Sequence, residues 1–182
     1  MKKHLHEVEK FPEIVKFAII TVSTSRAKAK ARGLDIEDTS GDIAEELIKE
    51  RGFKVVYRDL IPDGIKPVRE SLDKALRAGA EIIIFIGGTG ITKDDVTIEA
   101  IEPLLEKKLD GFGDIFRFLS YQEVGSIAML SRAMAGVYKN TMIFCLPGST
   151  SAVKLGLTKL ILQEARHIVY LLKRKGDANS YS

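Results

Sequence analysis

The sequence predicts an α/β protein, a three-layer α/β/α sandwich with a mostly parallel central sheet. Short apolar runs of strand length alternate with longer amphipathic segments along the 182 residues. This alternation is typical of parallel sheets that carry helices on both faces. Each apolar run also ends in glycine, hydroxyl or carboxylate residues, and ligands in such sheets bind at the carboxyl ends of the strands.

The first half of the chain has the clearest element boundaries. Residues 15–22 form an apolar run that predicts the first strand. A helix is expected to begin near Asp38, where hydroxyl and carboxylate side chains can cap free N–H groups, and to end at Gly52. The other elements predicted here are a strand at 53–61, a helix at 67–77, a strand at 81–86 and a helix from about Thr97.

The pattern of apolar residues is less regular in the second half of the chain. We expect a loop at residues 110–113, which read Asp-Gly-Phe-Gly, then helical pieces, a strand at 141–146 and a last helix from Ser151 to about Lys173. The whole chain divides into an extension at 1–14, one domain at 15–174 and a tail at 175–182.

Composition narrows the class of protein. A hydrophobic content of 45% is ordinary for a globular domain. No apolar run has the length of a membrane span or a signal core, so we expect a cytoplasmic protein without a membrane partner. Residues 26–32 are basic but carry no interleaved aromatics, which favours a solvated loop over a nucleic-acid surface. Cys145, the single cysteine, lies in an apolar run and is expected to pack rather than react.

The segment Gly87-Gly88-Thr89-Gly90 follows the third predicted strand. It lacks the Gly-Lys-Ser/Thr ending of the P-loop and the Gly-x-Gly-x-x-Gly spacing of dinucleotide sites. The glycines alone fit a tight turn and a phosphate cradle about equally well. The aspartates and the threonine that follow at 94–97 favour the cradle.

Four loops should meet at the carboxyl edge of the sheet: residues 23–26, 62–64, 87–95 and 147–150. Asp63 taken singly reads as turn chemistry, and Asp95 as a helix cap. Two carboxylates on one edge repel each other unless a cation lies between them, and a divalent ion that bridges phosphates is the common solution. Ser149 and Thr150 are expected to cap the last helix, a geometry that also binds anions.

A series of motifs from about Lys16 to His167 resembles the MoaB/MogA family of molybdenum-cofactor proteins, the molybdopterin adenylyltransferases, and is more similar to the MoaB branch. The string from Gly87 to Thr97 is the most specific of these motifs. Thr24 departs from the family pattern, since many relatives have an acidic or amide residue there. The other motifs are Thr21-Val22-Ser23, Asp38-Thr39-Ser40-Gly41, Ile61-Pro62-Asp63, Gly111-Phe112-Gly113, Leu130-Ser131-Arg132 and Leu146-Pro147-Gly148-Ser149.

The resemblance implies a reaction and a set of site residues. Mg²⁺-ATP and molybdopterin would give adenylylated molybdopterin and pyrophosphate, with Asp63 and Asp95 as catalytic residues and Mg²⁺ ligands. It also implies a homotrimer or homohexamer that hands its product to a molybdate-inserting enzyme. A non-catalytic molybdopterin carrier and a nucleotide-responsive scaffold remain alternatives. The implied substrate- and nucleotide-binding residues are Ser23, Ser25, Arg26, Gly87, Gly88, Thr89, Gly90, Thr97, Ser120, Ser131, Pro147, Gly148 and Ser149.

Overall fold

A six-stranded sheet with strand order β2-β1-β3-β6-β5-β4 organises the computed structural model, which describes residues 11–174. The first four strands in this order run parallel, β5 runs antiparallel to β6, and β4 runs antiparallel to β5. The mostly parallel sheet that the sequence predicts is therefore confirmed. The strands are β1 (Lys16–Val22), β2 (Lys54–Ile61), β3 (Ile82–Ile86), β4 (Lys107–Lys108), β5 (Met134–Tyr138) and β6 (Thr141–Leu146).

Helices cover both faces of the sheet and complete the three layers. Phe17 and Ile19 of β1 pack on one face, whereas Ala18 and Ile20 pack on the other, and all four are fully buried. Successive strand residues point to opposite faces, so a continuous apolar strand needs a helix layer on each side. The helices are α1 (Thr24–Ala31), α2 (Thr39–Glu50), α3 (Ile65–Arg77), α4 (Thr97–Ile101), α5 (Asp110–Val124), α6 (Thr150–Leu155) and α7 (Leu162–Lys173).

The predicted start of α2 is confirmed, and its cap has a second function. Oδ1 of Asp38 accepts the N–H of Gly41 at 3.2 Å, as an N-cap does. Oδ2 of the same carboxylate accepts the hydroxyl of Thr21 at 2.8 Å and a guanidinium N–H of Arg58 at 3.1 Å. Asp38 therefore joins the beginning of α2 to the end of β1, where the candidate site begins.

The predicted loop at residues 110–113 is wrong, because these residues form the first turn of α5. Phe112 is buried and packs edge-on against Phe144 of β6, with ring centroids 4.9 Å apart. A Cβ on Gly113 would lie 2.8 Å from the carbonyl oxygen of Ala133, so glycine lets the helix approach the chain before β5 closely. Packing against the sheet outweighs the low helix propensity of these glycines.

Strands β4 and β5 are not predicted from the sequence. Lys139 and Asn140 connect β5 to β6 with φ of 48° and 56°, the left-handed conformation of a two-residue hairpin turn. Lys-Asn is a weak turn signal compared with Asn-Gly, which explains the omission. A Cβ on Gly136 of β5 would lie 2.5 Å from the carbonyl oxygen of Lys107. The glycine therefore leaves room for β4 to pair closely with β5.

Two further predictions need correction. The basic stretch at 26–32 is mostly helical rather than a loop, because α1 covers Thr24–Ala31 without burying any residue. The last helix is helical over its predicted length but contains a π-helical segment, Gly156–Ile161, between α6 and α7. The predicted extension and tail lie largely outside the described residues, although Phe11 stacks on His167 of α7 at 5.3 Å.

No helix within residues 11–174 is long and apolar enough to cross a membrane. Cys145 of β6 is fully buried, and burial raises the pKa of its thiol far above the ordinary value. A thiol in this state is a poor nucleophile, in agreement with the packing function that the sequence predicts.

Candidate active site

The glycines after β3 form a tight turn between the ends of β1 and β6. Gly87 has φ +102° and Gly88 has φ +64°, conformations that residues with a side chain rarely adopt. The N–H of Gly87 donates to the carbonyl of Leu146 at 2.9 Å. A Cβ on Gly87 would lie 2.4 Å from the carbonyl oxygen of Val22. The turn is therefore fixed against both neighbouring strands.

Thr97 supports this turn from beneath. Its hydroxyl donates to the carbonyl of Gly87 and its N–H donates to the carbonyl of Gly88, both at 2.9 Å. The residue is fully buried and does not line the cavity described below. Thr97 is predicted from the sequence as a ligand-binding residue, but in the structure its hydrogen bonds stabilise the glycine turn.

Asp63 and Asp95 approach the glycine turn from two different loops. Oδ1 of Asp63 lies 3.2 Å from the position that a Cβ on Gly88 would take. Oδ2 of Asp95 lies 2.7 Å from the corresponding position on Gly90. The structure therefore brings both carboxylates beside the same glycine turn.

A threonine holds each carboxylate in the same manner. Oδ2 of Asp63 accepts the N–H of Thr24 at 2.9 Å and its hydroxyl at 2.7 Å. Oδ2 of Asp95 accepts the N–H of Thr92 at 3.0 Å and its hydroxyl at 2.6 Å. Thr24 thus orients the carboxylate of Asp63.

The surroundings of Asp95 shift the pKa of its carboxyl. Partial burial raises this pKa, whereas the hydroxyl and the N–H of Thr92 lower it. The N–H of Gly90 and the positive charge of Arg132 act in the same direction, so the pKa of Asp95 lies below its ordinary value. An ionised carboxylate is the form that binds a cation.

A cavity of about 850 Å³ opens at the carboxyl edge of the sheet and contains both aspartates. All four loops that the sequence assigns to this edge contribute to its lining. Its size lies within the range of small-molecule and cofactor sites. The predicted site residues that line it are Ser23, Ser25, Arg26, Asp63, Gly87, Gly88, Thr89, Gly90, Asp95, Ser120, Ser131, Pro147, Gly148 and Ser149.

Several of these residues also make hydrogen bonds that hold the surrounding loops and helices in place. Ser149 accepts the N–H of Ala152 at 3.3 Å and thereby caps α6, as expected. The carbonyl of Gly148 accepts the hydroxyl of Ser40 at 2.8 Å, which fixes the loop after β6 to α2. The N–H of Gly87 donates to the carbonyl of Leu146, so the phosphate cradle predicted at 87–90 cannot use this donor.

The sequence reading missed the apolar wall of the cavity. This wall comes from one side of α5 and from the 3-10 helical segment Gly125–Leu130 that follows it. The wall depends on α5 running without a break from Asp110 to Val124, whereas the sequence predicts separate helical pieces there. The lining residues that were not predicted include Phe116, Glu123, Val124, Ile127, Ala128, Leu130, Ser151 and Leu155.

The two aspartates have the donor chemistry of a magnesium site. The threonine hydrogen bonds go to Oδ2 of each carboxylate, so Oδ1 of each can serve as a ligand. No group of three or more His, Cys, Asp or Glu residues within residues 11–174 could hold a metal ion. Mg²⁺ commonly binds to one or two carboxylates and takes its other ligands from water and substrate phosphates. The residues present therefore fit Mg²⁺ bound together with a phosphorylated substrate.

This geometry defines a class: an α/β protein with a cavity at the carboxyl edge of a mostly parallel sheet, lined by a glycine turn and two carboxylates. The family model described as "Probable molybdopterin binding domain" matches residues 18–167. The chain belongs to the MoaB/MogA family of molybdopterin-binding proteins of molybdenum cofactor biosynthesis, and to its MoaB-like branch.

Individual relatives agree with this assignment. Molybdenum cofactor biosynthesis protein B of Bacillus cereus is 41% identical over 170 residues, which cover 90% of this chain and 94% of the relative. A protein of Methanocaldococcus jannaschii named probable molybdopterin adenylyltransferase is 44% identical over 157 residues, or 85% of this chain and 92% of the relative. The crystal structure of the tungsten cofactor synthesizing protein MoaB from Pyrococcus furiosus superposes with a TM-score of 0.81 at 40% identity, covering 90% and 99% of the two chains.

Proposed function

We propose that this protein catalyses the Mg²⁺-dependent transfer of AMP from ATP to molybdopterin, with release of pyrophosphate. The observation that carries the proposal is the placement of Asp63 and Asp95 beside one glycine turn in a single cavity. The name of the Methanocaldococcus jannaschii relative supports the same activity.

The reaction needs no nucleophile from the protein. An oxygen of the terminal phosphate of molybdopterin attacks the α-phosphorus of ATP. The bond from that phosphorus to the bridging oxygen breaks, and pyrophosphate leaves with the electron pair. The contribution of the protein is to position the two anions and to offset their charge.

The cavity supplies groups for both tasks. The N–H groups of Gly88 and Thr89 would bind phosphate oxygens, and Arg26 adds a positive charge at the cavity edge. Asp63 and Asp95 would hold Mg²⁺, which when bound neutralises charge on the phosphates of ATP. Ser120 and Ser149 line the region assigned by resemblance to the pterin phosphate.

The apolar wall of the cavity suits the pterin and adenine rings of the two substrates. Phe116, Ile127 and Leu130 line the same cavity as the charged loops. Pterin and adenine are flat rings that bury their faces well against such side chains. In this proposal the polar lining residues bind the phosphates and the apolar ones pack against the rings.

A pyrophosphate-release assay tests the proposed function. We expect pyrophosphate only when ATP, Mg²⁺ and molybdopterin are all present, and none with an ATP analogue whose α,β-bridging oxygen is replaced by a methylene group. Removal of Mg²⁺ by chelation should stop the release. Calorimetric binding of molybdopterin without pyrophosphate release would overturn the proposal and favour a non-catalytic carrier. ATP binding without any pterin binding would favour a nucleotide-responsive scaffold.

We also propose a homo-oligomer, a trimer or a hexamer, that assembles through α5 and the segment after it. Phe118 is 62% exposed, Ile127 63% and Met129 78%, an unusual concentration of apolar surface on a water-soluble domain. Sedimentation equilibrium is expected to give three or six times the mass of 20.1 kDa. A monomer at micromolar concentration would contradict this expectation. We further propose that the product passes to a molybdate-inserting enzyme. A cytoplasmic location, which suits the consumption of ATP, completes the proposal.

A further inference from the structure

Arg132 connects the two ends of the loop that carries Asp95. It lies two residues after the 3-10 segment Gly125–Leu130. Its Nε donates to the carbonyl of Thr89 at 3.2 Å, and its Nη2 donates to the carbonyl of Asp95 at 3.1 Å. A single guanidinium group therefore spans residues 89–95, the part of the loop that carries Asp95.

Glu99 holds this guanidinium from the other side. Nη1 of Arg132 donates to Oε1 of Glu99, and Nη2 donates to Oε2 at 3.3 Å. The hydrogen bond from Arg132 lowers the pKa of Glu99 more than burial raises it. Glu99 lies on α4, and the ion pair thus ties the guanidinium to the helix that follows the loop.

The middle of the loop offers little other anchorage. Residues 91–94 are exposed, and Ile91 has 69% of its surface accessible. Inside the loop, the N–H of Asp95 donates to the carbonyl of Thr92 at 3.2 Å, and Thr92 donates to the Asp95 carboxylate. These contacts shape the loop but do not fix it to the rest of the protein. Exposed segments with few buried contacts open most easily.

We propose that Arg132 is a positioning residue that fixes the backbone of Asp95 at the metal side of the cavity. It does so by joining the carbonyl groups of Thr89 and Asp95 in one guanidinium. Lysine could keep the charge but could not make both contacts, because its ammonium lacks the planar fork of donors. The inference rests on the proposed function, since it gives Asp95 the metal-binding task assigned there.

The test compares the wild-type protein with Arg132→Lys by two measurements that do not need turnover. Amide hydrogen exchange in a peptide covering residues 89–97 should be about tenfold faster in the variant, because charged hydrogen bonds anchor the loop in the wild type. Binding of Mn²⁺·ATP, followed by electron paramagnetic resonance, should be weakened about tenfold or more. Unchanged exchange in this peptide would overturn the proposal.

Arg117→Lys is a matched control. Arg117 also donates to a backbone carbonyl, that of Ala133 at 3.3 Å, and to a carboxylate, that of Asp114 at 2.8 Å. It makes neither contact with the loop. Exchange at 89–97 and Mn²⁺·ATP binding should match the wild type, and an equal effect of both variants would contradict a specific positioning function.

A second variant, Glu99→Gln, guards against misfolding of the first. It keeps Arg132 and its two carbonyl contacts but weakens the group that orients the guanidinium. We expect exchange at 89–97 to be faster than in the wild type but slower than in Arg132→Lys. No increase at all would count against the proposal. If the wild type releases no pyrophosphate yet these exchange differences appear, the proposed activity fails while the positioning of Asp95 stands.

Discussion

Asp63→Asn is expected to lower the rate of Mg²⁺-dependent pyrophosphate release by at least about a hundredfold, comparable to the loss of an essential electrostatic contact in other active sites. The amide keeps the shape of the side chain and one oxygen, which can still accept the N–H and hydroxyl of Thr24. It removes the negative charge that would face the proposed Mg²⁺ ion. The expected loss is therefore in turnover and metal affinity rather than in folding.

Urea unfolding and a metal titration separate these effects. The free energy of unfolding of Asp63→Asn should stay within about 1 kcal/mol of the wild type, because a neutral acceptor replaces a charged one without a change of volume. Asp73→Asn is a suitable control, because Asp73 is exposed on α3 and does not line the cavity. It should leave turnover unchanged. Full activity of Asp63→Asn at low Mg²⁺ concentration would refute the metal-binding function.

Gly87→Ala is expected to cost about 3 kcal/mol or more of the free energy of unfolding. The residue has φ +102°, and a Cβ there would lie 2.4 Å from the backbone oxygen of Val22. Relief by backbone rotation is blocked, because the N–H of Gly87 is bound to Leu146 and its carbonyl to Thr97. The substitution therefore combines backbone strain with overpacking, each of which costs about 1–3 kcal/mol.

Gly79→Ala provides the comparison that isolates the clash. Gly79 also has a positive φ, +78°, but a Cβ there would meet nothing within 4 Å. It should cost only the strain of the left-handed conformation, about 1–2 kcal/mol. Urea unfolding of both variants gives the two values directly. Equal losses would show that the contact with Val22 yields easily, and the turn would then be less rigid than the structure indicates.

The placement of several residues at one edge of the sheet could be predicted where strand ends carried distinctive chemistry. Asp63, Gly88 and Asp95 could be assigned to one edge because each follows a clear apolar strand, and parallel strands end at the same edge. The sequence could not show which oxygen of each aspartate is engaged by a threonine. Nor could it show that the N–H of Gly87 serves Leu146, because such contacts join residues far apart along the chain.

Two errors of prediction, the loop at 110–113 and the missing cavity wall, had the same origin. The Asp-Gly-Phe-Gly sequence at 110–113 has low helix propensity, yet it forms the first turn of α5, where Phe112 packs on Phe144. Local propensity is a weak guide when burial against a sheet supplies the larger free energy. The apolar wall of the cavity was missed for the same reason, since it depends on α5 being continuous.

The amino-acid sequence by itself determined the α/β class, the parallel strands and the edge at which the charged residues meet, because these follow from hydrophobic periodicity and from where glycine and carboxylates interrupt it. Only the tertiary structure decided that Thr97 lies beneath the turn, that Thr24 orients Asp63 and that Arg132 spans the loop of Asp95. Periodicity is a local property of the chain. Hydrogen bonds between distant residues depend on positions in space that no local pattern records.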